Sequence, residues 1–317
     1  MPPPAVLGFD FGGTKIATAV CDDAGTRLGS ETIETRPEAG APASLERGIE
    51  TGRRLLATAA PGHRLVAVGA STFGIPADDG VRLAPAIPGW SEVRLGVELR
   101  TAFPGAEVRL ATDVKAAAQA ELEWGALAGC EPGIYLNLGT GLAVAIVANG
   151  AVLAGRHGAA GEIGYNLRGR PDVGLPVAAR VPLEDAVSGK ALLRRAARLR
   201  PDLAGAAAVF AGAAHDRGVA RLLADFVREL AYHLANLAIA IDPVRIVVGG
   251  GMVHAWDQLA AGLRTALEAA VPYPPELVRA RFPYDAPLMG ALALGTAAAR
   301  DVLDRTSRTQ LEKGLSG

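Results

Sequence analysis

Two segments of the chain resemble each other, and this repeat constrains the fold more than any other feature. The first is "VLGFDFGGTKIATAVCDDAG", residues 6–25, and the second is "IYLNLGTGLAVAIVANG", residues 134–150. Each predicts an apolar strand, a turn containing Gly and Thr, an alternating strand and a polar glycine turn. Two such β-hairpins, one early in each half of the chain, favour a duplicated α/β architecture with a cleft between two domains.

The remaining patterns fit this architecture. Helical and buried-strand patterns alternate along the chain, which predicts parallel sheets whose ligands bind at the carboxyl ends of the strands. We expect an N-terminal domain over residues 1–114 and a larger C-terminal domain over residues 115–317, with a closing helix at about 288–305 packing back on the first. Buried strands are predicted at 64–72, 107–113 and 243–252, and other helices at 43–60, 114–128, 183–199, 220–241 and 256–270.

Composition excludes several classes of function. The 317 residues carry a net charge of −1, so no basic field attracts nucleic acid or anionic lipid. No run of about 18 apolar residues predicts a membrane span, and "MPPPAVLGFD" lacks the basic start of a signal peptide. Cys21 and Cys130 have no metal-ligand spacing, which is typical of a reduced, cytoplasmic protein.

The first glycine turn, in "LGFDFGGTK", has two interpretations. Any β-hairpin favours glycine at its turn. Alternatively, the glycines let backbone N–H groups approach a phosphate, with Asp10 beside a metal ion or its water shell. Two further glycine turns, at 139–141 and 249–251, favour a nucleotide held between two domains, since the chain has neither a Walker loop nor a dinucleotide fingerprint.

Six motifs in order identify the chain as resembling the ROK family of sugar kinases and repressors, within the actin-like (ribonuclease H-like) ATPase superfamily. "DFGGTK" and "LNLGTGLAVAIV" resemble its two phosphate motifs, and "IVVGGG" resembles its adenosine motif. "ATDVKAAAQAE" resembles the segment that carries the catalytic aspartate. "GAAGEIGY" resembles the sugar-binding GEIGH stretch, and "PLEDAVSG" resembles the segment with a second glutamate.

The resemblance implies roles for these positions. Asp113 would be the general base that accepts the proton of the sugar hydroxyl, although an aspartate there also suits a helix N-cap. Asp10 would position Mg²⁺ through water. The other implied nucleotide-binding residues are Gly12, Gly13, Thr14, Lys15, Gly139, Thr140, Gly141, Gly250 and Gly251. Glu162 and Glu184 would bind sugar hydroxyls, although each could be a solvated carboxylate, Glu184 in the first turn of a helix.

Departures from the family concentrate on the sugar side. The cysteines of the zinc loop are missing, so no structural zinc is expected. Tyr165 replaces the family histidine and Thr112 replaces the asparagine before the catalytic aspartate; both are expected near the sugar. Ala77 and Ala86 stand in the loop "GIPADDGVRLAPAIPGW", where the family has other residues. These changes predict retained phosphoryl transfer with altered acceptor recognition.

The resulting hypothesis is an ATP-dependent kinase acting on the 6-hydroxyl of glucose or of an amino sugar such as kanosamine. The resemblance also implies a homodimer. The alternative is a non-catalytic sugar-binding protein or regulator with the same fold. A ROK repressor is not expected, because the first strand begins by about Ala5 and leaves no room for a winged helix-turn-helix.

Overall fold

The computed structural model describes residues 2–315, and the side chains of residues 2–307. Contacts divide the chain into two compact units, one of Met1–Glu123 with Asp285–Gly317 and one of Trp124–Tyr284. The boundary predicted between residues 114 and 115 falls inside a helix, α3 (Asp113–Trp124).

The first unit is built on a five-stranded sheet. Its strands, in spatial order, are β3 (Arg27–Glu34), β2 (Lys15–Asp22), β1 (Pro4–Phe11), β4 (Arg64–Thr72) and β7 (Glu107–Thr112). β1, β4 and β7 are parallel, whereas β2 and β3 run antiparallel to their neighbours. A small hairpin, β5 (Ile75–Ala77) and β6 (Gly80–Arg82), follows β4.

The helices of this unit are α1 (Gly40–Ala59), α2 (Leu95–Ala102), α3 and α8 (Ala286–Leu315), of which α1, α2 and α8 pack on the sheet. α8 contains the predicted closing helix and packs on β1, β4 and β7. A side chain at Gly69 would collide with the backbone carbonyl of Ala291, so glycine in β4 lets α8 approach closely. Phe9, Phe11 and Trp90 are fully buried in the core of the unit; Phe9 stacks on Phe11, and Phe11 meets Trp90 at a tilted angle.

The second unit repeats this topology. Its sheet has the order β10 (Ala151–Val152), β9 (Leu142–Ala148), β8 (Gly133–Leu138), β11 (Arg245–Gly249) and β12 (Glu276–Arg279). β8, β11 and β12 are parallel, and β9 is antiparallel to β8. Its helices are α4 (Gly189–Ala196), α5 (Ala206–Gly212), α6 (Arg217–Ile241) and α7 (Trp256–Ala270). The duplicated hairpins β1–β2 and β8–β9 occupy the same place in both sheets, which confirms the predicted architecture.

One predicted element is different in the structure. The helix expected over residues 183–199 is split, because residues Leu183–Asp185 form a 3₁₀ turn and α4 begins only at Gly189. Ser188 is the N-cap of α4, and its hydroxyl accepts a hydrogen bond from the Ala191 amide at 3.1 Å. Glu184 therefore lies in a short turn before the helix and not in its first turn.

Among the described residues, no helix combines the length and the apolar content that crossing a bilayer requires.

Candidate functional site

Polar residues of the first unit gather where its parallel strands end. The register places Asp10 of β1 opposite Ser71 of β4, and Thr72 opposite Thr112 of β7. Asp113 follows directly and begins α3. The sequence predicted a ligand site at this edge, and the structure brings Asp10 and Asp113 close enough to interact electrostatically.

Asp10 is partly buried, and its surroundings favour the protonated carboxyl group. The pKa of its carboxyl group is raised from 3.8 to about 7, mainly by burial and also by the negative charge of Asp113. The hydrogen bond that Ser71 Oγ donates to Asp10 Oδ1 at 2.8 Å opposes this rise, as does the charge of Lys15. Two carboxylates at one strand edge, one of them with a raised pKa, fit a hydrated Mg²⁺, since a divalent cation would stabilise both as anions.

The turn between β1 and β2 is held tightly. The Gly12 amide donates to the Lys15 carbonyl at 3.0 Å, and a Cβ on Gly12 would lie 2.7 Å from that oxygen. Thr35 holds the turn from β3's end: its hydroxyl donates to the Gly12 carbonyl at 2.7 Å, and its amide donates to the Thr14 carbonyl at 2.9 Å. The turn thus needs glycine for close backbone approach, and it leaves Thr14 and Lys15 exposed.

Asp113 is not the sole cap of α3. Thr112 Oγ1 accepts a hydrogen bond from the Lys115 amide at 3.2 Å, which is the usual N-cap contact, while Asp113 Oδ1 accepts one from the Val114 amide at 2.9 Å. Thr112 is buried and Asp113 is partly exposed. Because a neighbouring hydroxyl shares the capping, the helix start does not by itself explain a carboxylate at position 113.

In the second unit, two glycine turns pack against each other. The Gly189 amide at the start of α4 donates to the Gly139 carbonyl at 2.7 Å. Gly250 has φ of +86°, and a Cβ there would lie 2.6 Å from the Leu138 backbone. Thr140 and Gly251 are exposed beside this contact. The turns predicted to bind phosphate and adenosine are therefore brought together at the end of β8 and β11.

Three predicted sugar-binding residues form a second cluster in this unit. Partial burial raises the pKa of Tyr165, and the charges of Glu162 and Glu184 raise it further. The Tyr165 amide donates to the Glu162 carbonyl at 3.1 Å within a 3₁₀ turn. Glu184 Oε2 accepts a hydrogen bond from the Leu142 amide at 2.9 Å. Two carboxylates beside one phenol give this cluster a negative charge.

Two residues at the candidate site were not predicted from the sequence. Ser71 is the last residue but one of a strand that was predicted only as buried, and the Ser-Thr ending of that strand was the available signal. Thr35 lies far from the glycine turn in sequence, so nothing local indicated its contact. Ala86, one of the departures from the family, lies against the first turn, because a Cβ on Gly13 would be 3.0 Å from the Ala86 methyl group.

Curated relatives of the chain include sugar kinases. The chain is 31% identical over 303 residues to a bifunctional enzyme NanE/NanK of Brucella melitensis; the match covers 92% of the chain and 54% of that protein. The chain thus spans about half the length of this relative. It is also 31% identical over 298 residues to a kanosamine kinase of Amycolatopsis mediterranei, covering 92% of the chain and 93% of that protein.

A solved structure shows the same fold. A ROK family glucokinase from Streptomyces griseus, in complex with glucose and AMPPNP, superposes with a TM-score of 0.72 at 28% identity, covering 92% of this chain and 99% of that one. This likeness confirms the predicted two-domain, actin-like fold. The model of the ROK family matches residues 6–298, and the chain therefore belongs to the ROK family.

Proposed function

We propose that the protein is an ATP-dependent kinase that phosphorylates the 6-hydroxyl of a hexose or an amino sugar. The observation that carries this proposal is the pair Asp10 and Asp113 at the carboxyl edge of the first sheet, in a chain whose relatives include sugar kinases. A carboxylate at position 113 would provide a base. Amides of the glycine turns other than those of Gly12 and Gly139, which donate to backbone carbonyls, are proposed as donors for phosphate oxygens.

Asp113 would accept the proton of the sugar hydroxyl as its oxygen attacks the γ-phosphorus of ATP. The new oxygen–phosphorus bond forms, the bond from the γ-phosphorus to the bridging oxygen breaks, and ADP leaves with that electron pair. Positioning and charge neutralisation dominate such a reaction. Mg²⁺, when bound, would neutralise phosphate charge, and Asp10, oriented by Ser71, would hold it through water.

Each unit carries glycine turns that are proposed to bind nucleotide. Gly12, Gly13, Thr14 and Lys15 are proposed for the transferred phosphoryl group, because this turn is exposed and carries the Lys15 ammonium. Gly139 and Thr140 are proposed for the other phosphates. Gly250 and Gly251 are proposed to flank the nucleoside, since no atom lies within 4 Å of a Cβ placed on Gly251.

In the second unit, Glu162, Tyr165 and Glu184 are proposed to bind the acceptor. In the first unit, Thr112, which precedes Asp113 in the sequence, is also proposed as an acceptor-binding residue. Carboxylates accept hydrogen bonds from sugar hydroxyls, and their combined charge near Tyr165 also suits an ammonium group. This charge supports an amino sugar such as kanosamine as an alternative to glucose.

The proposal is tested by measuring ADP release with glucose, mannose, N-acetylmannosamine, N-acetylglucosamine and kanosamine as acceptors. Asp113→Asn should lower turnover about 100-fold or more and leave AMPPNP affinity unchanged, because the amide keeps the shape of the side chain and cannot accept the proton. Glu107→Gln, an exposed change on β7, the strand that precedes Asp113, is the matched control. A wild-type protein that binds sugar without consuming ATP would instead support a non-catalytic sugar-binding protein.

A further inference from the structure

Gly141, in the second glycine turn, faces a carboxylate. A Cβ at this position would lie 2.5 Å from Glu184 Oε2 and 3.3 Å from the carboxyl carbon of Glu184. The backbone of Gly141 is not left-handed, so conformation alone does not require glycine there. Gly139, two residues earlier, differs, because the nearest atom to a Cβ there is 3.7 Å away.

The Glu184 side chain is held close to the backbone of neighbouring segments. Its Oε2 accepts the Leu142 amide at 2.9 Å. A Cβ on Gly164 would lie 3.3 Å from Glu184 Cβ and 3.8 Å from its Oε2. Within the part of the chain whose side chains are described, Glu184 Oε1 accepts no hydrogen bond, and the residue is exposed. One carboxylate oxygen is therefore anchored to the backbone while the other is available to a ligand.

This arrangement argues against a phosphate contact at Gly141. The Leu142 amide already donates to Glu184, so it is not available to a phosphate oxygen. A phosphate beside Gly141 would also lie against the carboxylate, and like charges at such a distance repel strongly. The family motif assigns Gly139, Thr140 and Gly141 to one phosphate-binding turn. In the structure, however, Gly141 faces the Glu184 carboxylate and Gly139 does not.

We propose that Gly141 is a positioning residue for the acceptor sugar. By lacking a side chain, it lets Glu184 reach the Leu142 amide and present Oε1 to a hydroxyl or ammonium group of the sugar. This inference rests on the proposed function, since it concerns binding of the acceptor sugar. It assigns Gly141 to the sugar, whereas the family motif assigns it to the nucleotide.

The test compares Gly141→Ala with Gly139→Ala. Gly141→Ala should displace the Glu184 carboxylate and raise the KM for the sugar about tenfold or more, while the KM for ATP and the affinity for AMPPNP change less than about threefold. Gly139→Ala meets only ordinary contacts at 3.7 Å and lies in the turn proposed for phosphate, so it should change the KM for ATP more than the KM for sugar. A KM for ATP that rises as much as the KM for sugar in Gly141→Ala would overturn the inference.

A double-mutant cycle with Glu184→Ala supplies the second measurement. In the Glu184→Ala background the collision is absent, so adding Gly141→Ala should change sugar affinity, measured calorimetrically, less than about twofold. This pair stays informative even where Gly141→Ala alone does not fold. Additive effects of the two substitutions, or a loss of AMPPNP binding in the double variant, would contradict the proposal.

Calorimetry also separates the two proposals. A wild-type protein that binds sugar but lacks turnover would refute the kinase and leave the cycle measurable. A wild-type protein that binds none of the sugars tested would refute both.

Discussion

The two hairpins that open the two units occupy equivalent places in sheets of the same strand order, yet they carry different chemistry. Asp10 is the last residue but one of β1, and Asn137 is the last but one of β8. Asp10 pairs in register with Ser71, which donates a hydrogen bond to it, whereas Asn137 pairs with Gly249, which has no side chain. A carboxylate in one unit thus corresponds to a neutral amide in the other.

The turns that follow these strands are also stabilised differently. The Thr35 side chain holds the first turn through the Gly12 carbonyl, while the backbone amide of Gly189 holds the second through the Gly139 carbonyl. The first turn is followed by Lys15, and the second by a backbone amide that binds Glu184. The duplicated topology therefore fixes where the turns lie, while single residues determine the charge beside each turn.

The largest expected effect comes from removing the charge difference between the equivalent positions. Asp10→Asn should lower turnover about 100-fold or more, because the amide loses the charge that would attract hydrated Mg²⁺. Asn137→Ala, the matched change in the second unit, should cost less than about tenfold, because no charge is removed. Steady-state rates at several Mg²⁺ concentrations measure both; similar losses in the two variants would contradict the division of roles.

The second effect is on stability and its dependence on pH. The folded-state pKa of Asp10, about 7, lies above its ordinary value of 3.8, so the ligand-free folded protein holds more protons between these pH values than the unfolded chain. Ionisation of Asp10 therefore lowers the free energy of unfolding as pH rises from about 4 to 7, by at most about 4 kcal/mol.

Asp10→Asn, which cannot ionise, should be more stable than the wild type at about pH 8, with the difference shrinking towards about pH 4. Urea unfolding of both proteins without nucleotide, across this range, measures the difference. Asn137→Ala should show no such pH-dependent difference. A constant gap between Asp10→Asn and the wild type would show that Asp10 does not titrate in this range.

A smaller effect is expected at the side chain that holds the first turn. Thr35→Val keeps the shape of a buried residue and removes the hydroxyl that donates to the Gly12 carbonyl. The folded protein should lose about 1–3 kcal/mol, because the carbonyl loses its partner. The KM for ATP should rise and the KM for sugar should not. Thermal unfolding and steady-state kinetics measure both, and an unchanged KM for ATP would separate this turn from nucleotide binding.

The smallest effect is expected from Tyr165→Phe in the second unit. The substitution removes one hydroxyl beside Glu162 and Glu184 and should raise the KM for sugar about two- to fivefold, consistent with a single neutral hydrogen bond. Tyr232→Phe, at an exposed tyrosine of α6, is the control. A change in the KM for ATP and not for sugar would place Tyr165 outside the acceptor site.

The sequence predicted most of the elements that position the candidate site. β4 was predicted with its observed bounds because it is a continuous apolar run, and α7 likewise because its apolar residues recur at helical spacing. The split before α4 was missed, because a capping serine interrupts a pattern that otherwise continues as a helix. α2, β3 and the hairpin β5–β6 were not predicted; β3 alternates exposed and half-buried residues and so has no strong apolar pattern.

By itself, the sequence determined the duplicated architecture, the family and the identities of the glycines and carboxylates, because hydrophobic periodicity and motif order are local properties of the chain. Only the tertiary structure determined which of these residues lie next to each other. The pKa of Asp10 depends on burial and on Ser71, which lies in another strand. The surroundings of Gly141 depend on Glu184, which is 43 positions away and is held there by a hydrogen bond from the Leu142 amide. Contacts between residues distant in the chain set the pKa of Asp10 and the surroundings of Gly141, and no local sequence pattern encodes these contacts.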